Sequence, residues 1–178
     1  RTTLILYPLQ RHLSFETIPL TQYPFFHLEM CSMAPEMNLE SRFRWRDFIY
    51  SGGTLFMDTC PDSRTMEEHK AFNQSWKDWG RSIFPGSGWS PLNRKHTLSF
   101  SFYLLEKRML LQNEGSPFSM LELDGRVILL HNQSPRWSWH TLKSSPVSAQ
   151  LNPRNIEIHL RLYINLMMLF LSGDYKQD

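Results

Sequence analysis

Two stretches of this sequence end in the same short pattern. FFHLEMC (residues 25–31) and TLFMDTC (residues 54–60) are apolar runs that finish in a carboxylate, one intervening residue and a cysteine. Glu29 and Asp58 therefore stand where a strand delivers side chains to the carboxyl edge of a parallel sheet, the edge at which open α/β proteins bind ligands. Asp62 follows just beyond. Carboxylates there can bind a metal, act as acid or base, or accept hydrogen bonds from a sugar. Equally, they can cap helix N-termini and accept loop amides. The thiols have several chemistries open to them. Cys60 is a candidate nucleophile. If the two strands are parallel neighbours in matching register, Cys31 and Cys60 also emerge side by side, close enough for a disulfide. Two free thiols are the alternative, and the usual state in a cytosolic protein.

Histidine supplies the remaining candidates. His131 ends the run GRVILLH, is followed by Asn132, and can approach the same edge as Glu29 and Asp58. His96 follows Arg94 and Lys95, ahead of an alternating Phe/Ser run. His27, inside an apolar strand, reads as a hydrogen-bonded core histidine, and His69 and His159 as residues on helix faces. No H-x-H, H-E-x-x-H or C-x-x-C occurs, so no metal centre is expected and no cofactor is implied. Trp89, Trp137 and Trp139 fall in loops, where an aromatic ring stacks on a sugar, receives a partner's anchor, or folds down over the core. As a ligand-binding set the sequence offers Asp58, Asp62, His96, Asn132 and Trp137. As a catalytic set it offers Glu29, Asp58 and His131.

These residues need a scaffold. Residues 2–9, TTLILYPL, and 23–31, YPFFHLEMC, read as buried strands. Residues 38–51 place Leu39, Phe43, Phe48 and Ile49 at helical spacing, with Gly52 as a C-terminal stop. The strand 54–59 follows, completing a strand–helix–strand crossover. Thr65 and Glu68 form a capping box that opens a second helix, with Phe72, Trp76, Trp79 and Ile83 on its apolar side. Residues 84–93 are too rich in Pro and Gly for a regular element. Residues 96–105 alternate and favour a strand, and Asp124-Gly125 is a hairpin turn between FSMLEL and RVILLH. After a Ser/Pro/Trp-rich loop, residues 155–171 form a closing helix. Its stripe Leu160, Ile164, Met167, Met168 and Leu171 is expected to pack on the sheet, with Arg161 and Asn165 needing polar partners. The fold class is α/β: one domain over residues 1–178, a three-layer sandwich with a mainly parallel, flavodoxin-like central sheet and a late β-hairpin.

The chain has 178 residues, 41% hydrophobic, with twelve Phe, six Trp and six Tyr, enough for a substantial core. Its net charge of +2, from nineteen basic and seventeen acidic side chains of mixed order, argues against nucleic acid as the main partner. The most apolar segment, residues 160–171, is about half of the roughly 20 residues a bilayer span needs, so no transmembrane segment is expected. The first residue is Arg1. A removed leader is the preferred expectation; a fragment or domain of a longer protein is the other.

Several stretches in order, YPFFHLE, LESRFRWRDFIYSGGTLFMD, IFPG, KHTLSFSFYLL, GRVILLHN and NPRNIEIHLRLYINLMMLFLSGD, resemble a bacterial domain of unknown function, the 4159 family. That family is placed with class I glutamine amidotransferase-like folds, and the likeness runs from about Tyr23 to Asp174. True class I amidotransferases end the equivalent strand in a Gly-x-Cys-x-Gly elbow. Here no glycine flanks Cys60, and Pro61 removes an amide that an oxyanion hole would use. A late His-x-Glu pair is also missing. The resemblance therefore implies a non-catalytic module binding an envelope protein or a small carbohydrate-like ligand. Relatives are often exported, which implies a periplasmic or envelope location, with the cytoplasm as the alternative. The competing function is a hydrolase or lyase of a carbohydrate-type or amide-type substrate, working through Glu29, Asp58 and His131.

Overall fold

The structure, a computed structural model, describes residues 20–61, 64–92, 95–105, 116–138 and 153–172. The expected strand at residues 2–9 lies outside them, as do Asp62 and Trp139.

Strand β1 (Phe25–Met30) leads into helix α1 (Leu39–Tyr50), and the chain returns in β2 (Thr54–Thr59). Asn38 caps α1 by accepting the Ser41 amide at 2.8 Å. Gly52, at φ +97°, turns the chain out of the helix where a side chain would be strained. Helix α2 (Met66–Ile83) opens on the expected capping box: Glu68 Oε2 accepts the Thr65 amide at 2.8 Å, and the Glu68 amide donates to Thr65 Oγ1 at 3.3 Å. A short strand β3 (Trp89–Pro91) follows, inside the segment expected to be loop. Residues 96–105 are not a strand. They hold one 3₁₀ turn, Thr97–Ser99, and irregular backbone. Strands β4 (Phe118–Leu123) and β5 (Arg126–Asn132) form the hairpin, with Asp124 and Gly125 both at positive φ. Helix α3 (Pro153–Ser172) closes the described chain.

The five strands lie in the order β1-β2-β5-β4-β3. The β1–β2 and β2–β5 pairings are parallel, while β5–β4 and β4–β3 are antiparallel, so β4 alone runs against the other four strands and the sheet is mixed, parallel in part. The hairpin is no appendage. Its second strand inserts beside β2, and Arg126 at its start donates to the carbonyls of Ile49, Gly52 and Gly53, tying off the end of α1.

Alternation along β2 divides the core into two layers. Leu55 and Met57 pack with Trp45, Phe48 and Ile49 of α1 and Phe72, Trp76, Trp79 and Ile83 of α2. Phe56 packs on the other face with Phe118, Met120, Leu130 and α3. In α1 the buried stripe runs through Trp45, whereas Leu39 and Phe43 are exposed. In α3 the buried stripe is Ile158, Leu162, Tyr163, Leu166 and Phe170. Leu160, Ile164 and Leu171, expected inside, are exposed, and Met167 and Met168 are half-buried.

Asn165 explains that rotation of α3. Fully buried, it donates to the carbonyls of Leu98 and Tyr103 at 2.8 and 2.7 Å and accepts the Phe102 and Tyr103 amides at 3.2 and 2.7 Å. One side chain thus satisfies the turn that replaces the expected strand. Asn165→Leu should cost about 2–3 kcal/mol in urea unfolding, because parts of that turn are near solvent and can rehydrate. Arg161 finds its partner in Glu157, one turn earlier.

Candidate functional site

The register of β1 on β2 pairs His27 with Phe56 and Glu29 with Asp58. Period-two alternation sends Phe56 and Asp58 to the α3 face, and His27 and Glu29 with them. Asp58 is completely buried there. Four side chains converge on its carboxylate. Asn132 Nδ2 donates to Oδ1 at 2.8 Å, while Ser138 Oγ and Tyr163 OH each lie 3.1 Å from Oδ2. His27 Nε2 is 3.2 Å from Oδ2, with a quarter (25%) of its side chain exposed. Three of these groups share Oδ2 and one takes Oδ1, so both oxygens of the buried carboxylate are engaged.

Each partner is itself held. Asn132 ends β5, and its own Oδ1 accepts the Ser134 amide at 3.1 Å, which fixes which end of the amide faces Asp58. Thr59 Oγ1 donates to the Asn132 carbonyl at 2.6 Å. The His27 ring stacks on Phe56 with centroids 5.0 Å apart. Tyr163 comes from α3, so the cluster joins β1, β2, β5 and α3 in one buried polar hub. Beyond it, Cys31 and Cys60 form a disulfide with Cα atoms 5.0 Å apart. Arg64 donates to the Cys31 carbonyl at 2.8 Å, with its guanidinium 3.7 Å over the Phe72 ring.

The structure separates the other candidates. Glu29 is half-buried and beside Asp58. His131 is not with them. It pairs with Met57, so its fully buried ring points into the α1/α2 layer on the opposite side of the sheet. Burial, aided by the charges of Lys77 and His69, lowers its pKa from 6.5 to about 3. His131 is thus neutral in the folded chain near pH 7. Its unfolded counterpart takes up a proton as pH drops below 6.5, so its contribution to stability is complete above that pH and is lost as pH falls toward 3. A histidine titration followed by NMR should show no protonation of His131 between about pH 5 and 8.

His96 lies near the other end of the sheet, its Nδ1 accepting the Leu98 amide at 3.2 Å and its Nε2 3.8 Å from Glu122. Burial lowers its pKa as well. Asn132 belongs to the hub. Trp137 is folded down into the core, its ring 5.0 Å from that of His159. Ser138 and Tyr163 are hub members that sequence reasoning missed, while His27 is the hydrogen-bonded histidine expected of its strand, not placed among the site residues beforehand. For His27 a signal existed: it shares the alternation of Glu29 and Cys31. Tyr163, 105 residues from Asp58, gave none. Among the described residues, no group of three or more His, Cys, Asp or Glu could hold a metal, and no helix is long and apolar enough to cross a membrane.

A family model described as a domain of unknown function (DUF4159) matches residues 1–171. No curated protein matches the chain. The chain belongs to the DUF4159 family.

Proposed function

With membership of that family as the premise, we propose that the domain is a non-catalytic, amidotransferase-like module of the bacterial cell envelope that binds a protein or a small carbohydrate-like ligand. What carries this reading is the state of the two residues best placed for chemistry. Asp58 has both oxygens hydrogen-bonded and is shut off from solvent, and Cys60 is tied up in a disulfide. Both stabilise the sheet edge instead of presenting a reactive atom. The disulfide also supports an oxidising compartment, because such bonds persist in periplasmic and secreted proteins and are rare in the cytosol.

A hydrolase or lyase is the second reading, and one observation favours it on different residues from those first expected. His27 is partly exposed and backed by the anchored Asp58, the arrangement in which a carboxylate orients an imidazole for proton transfer.

Cross-linking in the native cell, followed by capture of the chain, tests the module. It predicts one saturable partner or glycan adduct in the envelope fraction, retained by His27→Gln. Turnover of an amide or glycoside by the purified chain, abolished by His27→Gln with the fold intact, would overturn the non-catalytic reading. Recovery of the chain in the cytosolic fraction with free thiols would overturn the location.

A further inference from the structure

On the α1/α2 face, away from the Asp58 hub, the sheet carries a polar step. Ser119 on β4 and His131 on β5 are register partners, so both side chains leave the same face. Their exposures are 4% and 0%. Among the described residues, neither imidazole nitrogen has a hydrogen-bond partner, and neither has the Ser119 hydroxyl. Helix α2 lies across them. His69, Asn73 and Lys77, four residues apart, form one stripe of that helix. Asn73 Nδ2 donates to the Gln133 carbonyl at 3.3 Å, which places the stripe over the end of β5. His69 Nδ1 and Asn73 Oδ1 are again buried without partners. Trp89 closes the side toward β3: its ring centroid is 6.0 Å from that of His131, and its indole donates to the Lys77 carbonyl at 3.0 Å.

The energetics decide what such a place contains. Among the described residues, these five buried polar atoms are without hydrogen-bond partners. At about 1–3 kcal/mol each, leaving all of them dry would consume a stability that is typically only about 5–15 kcal/mol. The chemistry narrows the occupant. The Lys77 charge that acts on His131 disfavours a cation, and the acceptor lone pairs of Asn73 Oδ1 on the same helix stripe disfavour an anion. The buried imidazole, neutral as argued above, offers one donor and one acceptor, and a hydroxyl offers both. A ligand that both gives and accepts hydrogen bonds without charge fits all of them.

We propose that the Ser119–His131 step is an internal hydration site, holding ordered water that bridges the imidazole and the hydroxyl to Asn73 on α2. The site couples helix to sheet where apolar packing is interrupted. Native proteins satisfy buried polar groups in this way, with waters making about three hydrogen bonds each.

Water–protein cross-relaxation NMR on the full, ¹⁵N-labelled chain tests it. Expected are cross-peaks from water to His131 and Ser119, and ¹⁵N shifts showing both His131 nitrogens hydrogen-bonded. His131→Gln, which keeps a donor and an acceptor, should retain the water signal at Ser119, and His131→Phe should lose it. The wild-type measurement decides the matter even if a variant fails to fold. A direct Ser119–His131 bond with no water cross-peak would overturn the proposal. Loss of the water signal on titration with inorganic phosphate would do the same, because it would assign the site to an anion.

Discussion

Asp58→Leu is expected to remove about 3–5 kcal/mol of folding stability, the scale set by breaking a buried charged hydrogen-bond network. Leucine fills a similar volume but removes the acceptor shared by the Asn132 amide, the Ser138 hydroxyl and the Tyr163 hydroxyl, of which Tyr163 keeps the Trp137 carbonyl at 3.4 Å. Asp58→Asn is the sharper comparison. Its new NH₂ group would oppose donors, and Asn132 cannot flip to compensate without releasing the Ser134 amide. Tyr163→Phe deletes a single donor and should cost about 1 kcal/mol. Urea unfolding with an unchanged m-value checks the series. A loss below about 1 kcal/mol for Asp58→Leu would mean that the hub opens to water in solution.

The second large effect belongs to the disulfide. Cys31 and Cys60 are 29 residues apart, and closing a loop of that size restricts the unfolded chain by roughly 3–4 kcal/mol in the chain-entropy model. The double substitution Cys31→Ser with Cys60→Ser, or reduction, should lower stability by that amount. The β1–β2 pairing should survive, because it rests on ladder bonds and on the packing of Leu55 and Phe56. Mass spectrometry of native protein, alkylated without reduction, should find both cysteines unmodified. Two alkylated thiols would remove the disulfide and the argument for an oxidising compartment with it.

What the sequence determined by itself was local. Asn38 and the Thr65–Glu68 box start helices, Gly52 ends one, and Asp124-Gly125 turns a hairpin, because caps and turns are satisfied by atoms within a few residues. The matching runs FFHLEMC and TLFMDTC pointed to the disulfide only on the condition of a matching parallel register, and the structure supplies that register, with Glu29 beside Asp58 and Cys31 bonded to Cys60. The tertiary structure decided what no local pattern could. Helix α3 is apolar on more than one face, so hydrophobicity alone does not choose which stripe goes inward. Asn165 and Tyr163 choose it, through partners 62–67 and 105 residues away. Residues 96–105 have strand-like alternation, yet Asn165 satisfies their backbone as a turn. The place of β5 beside β2 sends His131 to the opposite face from Asp58. Both residues sit at strand ends in the sequence. Only the pairing register, in which one residue of offset reverses the face, separates them into different chemistries.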